Sequence, residues 1–350
     1  MFSLFYGIFC LFICNLAIAE FVQGESSWYL TDTHIHAIPP DYAAAIQTAG
    51  GDPSGYATPS WSVQGTFDSL ETTGSTKAVL SVSAPGIPIA GTGESARELC
   101  RKMNIYLANL VDEYPQQLDF FGALPDWRDV NGTLDEIDFL YSTQKIAVGV
   151  GMYTAYGDFL PGNPIFEPIW NRLEQYHALV FMHPAVMEVN PFFIGGFLPQ
   201  PIVDYPQQTT RAAVDLVLSG VRSRTPSVDL ILSHAGGTLP FLSQRVSGSL
   251  IVPEIASQSR VTAIEAESQC RRYYYDTALS ASATQLNGLL EATDPSHVLF
   301  GTDYPYAPAI AIEAEFQEYL AFAETHPQLS PHVLSQNAET LIARHRLQEV

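Results

Sequence analysis

Positive charge is scarce in this chain: 16 lysines and arginines stand against 37 aspartates and glutamates, a net charge of −21. So negative a balance argues against nucleic-acid binding and against anionic membrane surfaces, both of which use basic patches. A small acidic substrate is not excluded, because a local arginine could capture one. Cysteine is also sparse. Of the four, Cys10 and Cys14 fall in the first residues, leaving Cys100 and Cys270 far apart. One pair is no disulfide framework for a chain this long, so two buried thiols are expected unless an oxidising compartment pairs them. Low-complexity sequence is lacking, which argues against disorder. Beyond the N-terminal segment, no run approaches the roughly 20 apolar residues that a membrane span needs.

That segment, residues 1–19, is uncharged and apolar and ends in Ala17-Ile18-Ala19 before Glu20. It reads as a secretory signal peptide cleaved after Ala19, with an uncleaved anchor as the alternative. The mature protein is then expected in the secretory pathway or outside the cell. There the one sequon, Asn131-Gly132-Thr133, would become relevant. Residues 20–350 are long enough for one large α/β barrel or two small domains, and no linker rich in Pro, Gly or Ser divides them. A single domain is expected.

Eight short apolar runs alternate with longer segments whose apolar residues recur at helical spacing. The runs are 29–33, 77–82, 120–124, 146–150, 179–182, 229–232, 273–276 and 298–300; the helical segments include 95–113 and 209–221. Eight strand-then-helix units with nearly continuous apolar strands predict a parallel (β/α)8 TIM barrel. Residues 37–65, with Gly50-Gly51-Asp52-Pro53-Ser54-Gly55, are expected to form a long loop over the barrel mouth, and 312–323 a closing helix.

In Thr31-Asp32-Thr33-His34-Ile35-His36, the two-residue period of a strand sends both histidines to one face, where they can share a divalent ion. His183 ends the fifth run, His234 follows the sixth, and Asp303 follows the eighth in Gly301-Thr302-Asp303. Each taken singly is as readily a packing, turn or capping residue. Jointly they all fall where barrel active sites gather, which the other five histidines do not. His34, His36, His183 and Asp303 with an open position would make a catalytic metal site, leaving His234 as proton donor or orienting group. The fourth run, Ile146-Ala147-Val148-Gly149-Val150, offers no bridging ligand and Lys145 precedes it, so one metal is expected. Three histidines favour zinc, with manganese close behind.

With Asp32-x-His34-x-His36, His183-Pro184, His234-Ala235-Gly236-Gly237 and Gly301-Thr302-Asp303, the chain resembles the amidohydrolase superfamily, in particular its decarboxylase branch. Three further stretches, Gly50 to Gly55, Ser81 to Gly86 and Tyr274 to Ser280, are similar to its 6-methylsalicylate decarboxylase group. The resemblance implies that His34, His36, His183 and Asp303 bind the metal and that His234 and Asp303 carry the catalysis. It also implies that Arg245 reaches a neighbouring subunit's site to hold a substrate carboxylate, in a homodimer. A guanidinium suits that role because its planar fork meets a carboxylate with two parallel bonds. Two departures matter: Ala185 stands where muconate-type members carry tryptophan, and Ile35 separates histidines that close relatives have in a continuous run. The expected activity is decarboxylation of a 2-hydroxybenzoate, 6-methylsalicylate first, with Trp61, Tyr304 and Tyr306 as candidate walls for the ring. The alternatives are a metal-dependent lactonase or amidohydrolase on the same barrel, and a binding protein with a relic site.

Overall fold

The computed structural model describes residues 29–346; the proposed signal peptide lies outside them. Eight parallel strands follow chain order around the sheet: β1 (Leu30–Ala37), β2 (Ser75–Val82), β3 (Leu118–Gly122), β4 (Gly149–Tyr153), β5 (Leu179–His183), β6 (Asp229–Leu232), β7 (Tyr274–Asp276) and β8 (Val298–Leu299). The sheet closes on itself through the chain just after β8. Thr33 N donates to Phe300 O at 2.9 Å and His36 N to Tyr304 O at 2.7 Å, while Asp303 N donates back to His34 O at 2.8 Å. Helices alternate with the strands, and the expected (β/α)8 barrel is the fold.

Alternation along the strands partitions the core. Val79, Phe121, Phe181, Ile231, Tyr274 and Leu299 fill the barrel interior, and Ala338, Leu341 and Ile342 of the last helix, Pro331–His345, pack against them. Their neighbours, such as Phe120, Val180, Met182, Leu230 and Leu232, face the surrounding helices. The same parity turns His183 inward with Phe181, and turns His34 and His36 inward while Ile35 joins the outer layer.

Some boundaries differ from expectation. β3 begins two residues early and β4 three residues late. The Gln144 side chain accepts from the backbone N–H groups of Ile146 and Ala147 at 3.2 and 3.3 Å, holding them in a turn. Segment 37–65 is not one loop: Pro40–Thr48 is a helix, with proline at its first position and three consecutive alanines. The segment predicted over 209–221 begins earlier, at Gln200, and ends at Leu218, before Gly220 in the left-handed region. Cys100 and Cys270 are both free and buried. Asn131 is exposed on the helix Val130–Asp138, whereas Thr133 is buried.

Candidate metal centre

At the C-terminal end of the barrel, His34 and His36 from β1, His183 from β5, His234 after β6 and Asp303 after β8 converge. Ligand atoms of His34, His183, His234 and Asp303 lie within 4.8 Å of one another. His36 belongs to the same cluster: its Nε2 is 3.2 Å from that of His34 and 3.0 Å from Asp303 Oδ1. All five are buried.

The surroundings of each ring decide what it can do. His34 Nδ1 donates to Asp276 Oδ2 at 2.9 Å. His36 Nδ1 lies 2.8 Å from Ser81 Oγ, whose own proton goes to Ile35 O, so the imidazole is the donor. His183 Nδ1 donates to Pro184 O at 2.9 Å. With Nδ1 engaged in each case, all three turn Nε2 toward the centre, where a bound metal would take the place of any proton, the arrangement that metal-binding histidines require. His234 differs: its Nδ1 is buried without a partner, and its Nε2 is 3.5 Å from Asp303 Oδ2. Asp303 Oδ1 is also buried without a hydrogen bond, although it lies 3.0 Å from His36 Nε2 and 3.4 Å from His34 Nε2. An orphaned carboxylate oxygen facing imidazole lone pairs fits a divalent cation.

Electrostatics agree. Burial alone would lower the His34 pKa, but Asp276 and Asp303 push it up to about 10. Burial would raise Asp303, yet the facing rings of His234, His34 and His36 hold it well below the usual carboxylate range. Burial lowers His36, against the pull of Asp303, and lowers His183 further with help from the neighbouring rings. Asp276 and Asp303 thus favour positive charge at the position of His34, which a divalent ion would supply by displacing the Nε2 proton.

The short motifs have mechanical explanations. Asp32 accepts from His34 N, Thr302 N and Thr302 Oγ1 at 3.0, 3.2 and 2.6 Å, bracing β1 against the segment after β8. Burial pushes its pKa up to about 7 despite those bonds. Gly301 is required because a β-carbon would come within 2.7 Å of His34 Cβ. His234, Ala235, Gly236 and Gly237 all have positive φ. At the last two, a β-carbon would strike the Tyr275 ring at 2.6 Å and the Pro206 carbonyl at 1.9 Å. This run of left-handed residues carries the chain sharply away from β6 and leaves His234 at the mouth.

A cavity of about 390 Å3 opens onto the cluster at His183, His234 and Asp303. Its walls are mainly apolar, including Pro201, Ile202, Pro206, Leu279 and Ala307, with Tyr56, Tyr205 and Tyr306 among them. Of the three aromatic residues considered for the ring, only Tyr306 lines it. Trp61 instead donates to Thr66 Oγ1, and Tyr304 serves through its backbone carbonyl. Asp52, Ser54 and Tyr56 show that segment 37–65 does contribute to the mouth. Lys145 lies before β4, in a left-handed turn, and β4 sends neither carboxylate nor lysine to the cavity. Arg245, on the exposed side of the helix Leu239–Ser249, does not line this cavity, and no other arginine or lysine of the described residues does. Residues that sequence reasoning left without a role are Asp276, Tyr205 and Asp52. Asp276 alone had an available signal, since it ends β7 as His183 ends β5.

Comparison with known proteins is consistent with this geometry. The amidohydrolase family profile matches residues 31–343. The chain is 39% identical over 317 residues to a 6-methylsalicylic acid decarboxylase of Penicillium expansum, covering 89% of this chain and 96% of that one. Its fold matches the crystal structure of 5-carboxyvanillate decarboxylase from Sphingomonas paucimobilis with a TM-score of 0.79 at 20% identity, over 91% and 99% of the two chains. A dihydroxybenzoic acid decarboxylase from Polaromonas, crystallised with manganese and an inhibitor, matches with a TM-score of 0.73 at 17% identity, over 91% and 98%.

Proposed function

The chain belongs to the amidohydrolase family, and from that membership we propose that it is a metal-dependent carboxy-lyase acting on a 2-hydroxybenzoate. The substrate we assign is 6-methylsalicylate, giving 3-methylphenol and carbon dioxide. The observation that carries this reading is a mainly apolar cavity over a cluster of imidazoles and one carboxylate, in a chain 39% identical to a 6-methylsalicylic acid decarboxylase.

His34, His36, His183 and Asp303 would hold one divalent ion, zinc first and manganese second. Bound there, the ion would supply Lewis acidity and positive charge for an aromatic carboxylate. The reaction replaces a C–C bond by a C–H bond: the bonding pair stays with the ring carbon, which takes up a proton as carbon dioxide leaves. His234 and Asp303 are the groups able to move that proton, since both line the cavity and their facing atoms are 3.5 Å apart. His234 is suited to it because, unlike the three ligand histidines, its Nδ1 is not engaged. Tyr205, Tyr306 and the apolar wall would hold the ring and exclude water.

Arg245 is assigned to a second subunit's site. It is exposed and absent from its own cavity, as such a role requires. Co-expressing Arg245→Ala with His34→Ala tests this, because each variant alone lacks a complete site. A hybrid dimer restores one, and a mixed population should recover about a quarter of wild-type activity. No recovery refutes the assignment. Export is proposed from residues 1–19; a protein recovered from the medium and beginning at Glu20 supports it, and one retaining Met1 refutes it.

The deciding experiment incubates metal-loaded protein with a panel of hydroxybenzoates and reads carbon dioxide and phenol. His34→Ala and Asp303→Asn should abolish turnover, as should chelation. Hydrolysis of lactones or amides with no carbon dioxide from any salicylate would instead establish the hydrolase alternative.

A further inference from the structure

One ionisable group in the cavity has no part in the reaction above. Asp52 lies between the helices Pro40–Thr48 and Val63–Thr73 and lines the same cavity as His183, His234 and Asp303. Its position is built. Ser54 N donates to Asp52 Oδ1 at 2.8 Å, and Gly51 and Gly55 on either side adopt positive φ. Gln200 N donates to Ser54 O at 3.3 Å, tying this turn to the helix that forms another wall.

Among the described residues, the cavity wall around Asp52 offers a second anion no lysine or arginine to pair with. Asp52, Tyr205, Tyr306 and Asp303 line one cavity, so a ring held against the two tyrosines faces both carboxylates. The rest of the lining is apolar or neutral, and no lysine or arginine of the described residues contributes. With the first carboxylate engaged elsewhere, a ring substituent carrying a negative charge would lose its water and meet the like charge of Asp52 with no cationic side chain of this wall beside it, and both effects are unfavourable. A methyl group would meet apolar surface, and a hydroxyl could donate to Asp52.

We propose that Asp52 is a specificity-determining residue that restricts this cavity to aromatic monocarboxylates by excluding a second anionic group on the ring. The inference rests on the carboxylyase reading above and deepens it. The fold does not impose the restriction, because 5-carboxyvanillate, the substrate in the name of one structural neighbour, is a dicarboxylate. The discrimination must therefore come from the side chains that line each cavity.

The test compares 6-methylsalicylate with 3-hydroxyphthalate, in which a carboxylate replaces the methyl group, and with 4-hydroxyisophthalate, in which the second carboxylate lies elsewhere on the ring. Asp52→Asn keeps the acceptor for Ser54 N and removes only the charge; Asp52→Ser is the second variant, with folding checked by circular dichroism. For at least one diacid, the diacid-to-monoacid ratio of kcat/KM should rise by fivefold or more in both variants. A smaller change, or a wild-type enzyme that accepts both diacids as well as the monoacid, overturns the proposal. Dissociation constants for the same three acids, measured by calorimetry, give the same ratio without turnover. If the wild type decarboxylates nothing, the functional reading fails while the binding ratio still decides the role of Asp52.

Discussion

Replacing Asp276 by asparagine should disable the metal centre without touching a ligand. Asp276 is fully buried, and its two oxygens have separate duties. Oδ1 accepts from His234 N at 3.0 Å and Ala278 N at 3.1 Å, while Oδ2 accepts from His34 Nδ1 at 2.9 Å. Two backbone donors fix Oδ1, so an asparagine must turn its carbonyl oxygen toward them and its NH2 toward His34. That NH2 can only donate. His34 Nδ1 would become an acceptor, its proton would move to Nε2, and the lone pair aimed at the centre would be lost. Losing an outer partner of a ligating histidine costs about 10–100-fold in metal affinity, or ~1.4–2.8 kcal/mol. Because the tautomer is inverted here, the upper end applies. Competition against a chromogenic chelator measures the affinity, and metal-free thermal melts show whether the fold survives. A variant that folds and binds zinc within threefold of wild type would refute the reasoning, since Asp276 would then not set the His34 tautomer.

Two further outcomes test the scaffold. Gly237→Ala should cost about 3 kcal/mol or prevent folding, because its β-carbon would meet the Pro206 carbonyl at 1.9 Å in a left-handed residue; a melting temperature within two degrees of wild type would contradict this. Asp229 accepts from His345 Nε2 at 2.8 Å and Arg344 Nη1 at 2.9 Å, tying the last helix to β6. Burial would raise its pKa, but His345 and Arg344 outweigh that and hold it below the usual value. A depressed folded-state pKa contributes stability above the unfolded value and loses it as pH falls through the folded one. Asp229→Asn should therefore destabilise by about 1–2 kcal/mol at neutral pH, and the gap should close below about pH 4. Denaturant melts across pH measure it, and a gap that persists in acid would be contrary.

The barrel was legible because its strands are short apolar runs at regular intervals, and the site because ligand-type residues stand at the ends of those runs. Where an apolar run continues past its pairing partner, as at β3 and β4, hydropathy has no marker for the boundary; the Gln144 side chain that fixes it acts through tertiary geometry. The helix Pro40–Thr48 was missed because its neighbours are glycine-rich, although Ala43-Ala44-Ala45 is a helix-forming run. Strand-end position set His234 apart from the other histidines only by the count of ligands, without a physical reason. The distinction is whether Nδ1 finds a partner, and those partners, Asp276, Ser81 and Pro184, come from three different elements. Asp52 was legible as part of a segment over the barrel mouth, but that its side chain lines the cavity depends on the turn fixed by Ser54.

The charge balance of the site explains why the chain cannot work on an anion unaided. Its cavity holds two carboxylates, Asp52 and Asp303, and no lysine or arginine of the described residues. Like charges repel more strongly in a partly buried cavity than in water, so an aromatic acid entering this cavity is opposed by both carboxylates. Three imidazoles held neutral at Nε2 and one carboxylate would leave a divalent ion with a net positive charge, enough to attract one carboxylate but not two. A guanidinium from a second subunit would add to that attraction without changing the cavity's own walls. The scarcity of positive charge in the sequence is thus also a property of the site: capture of the substrate anion is left to groups outside this cavity wall, while Asp52 governs which anion is admitted.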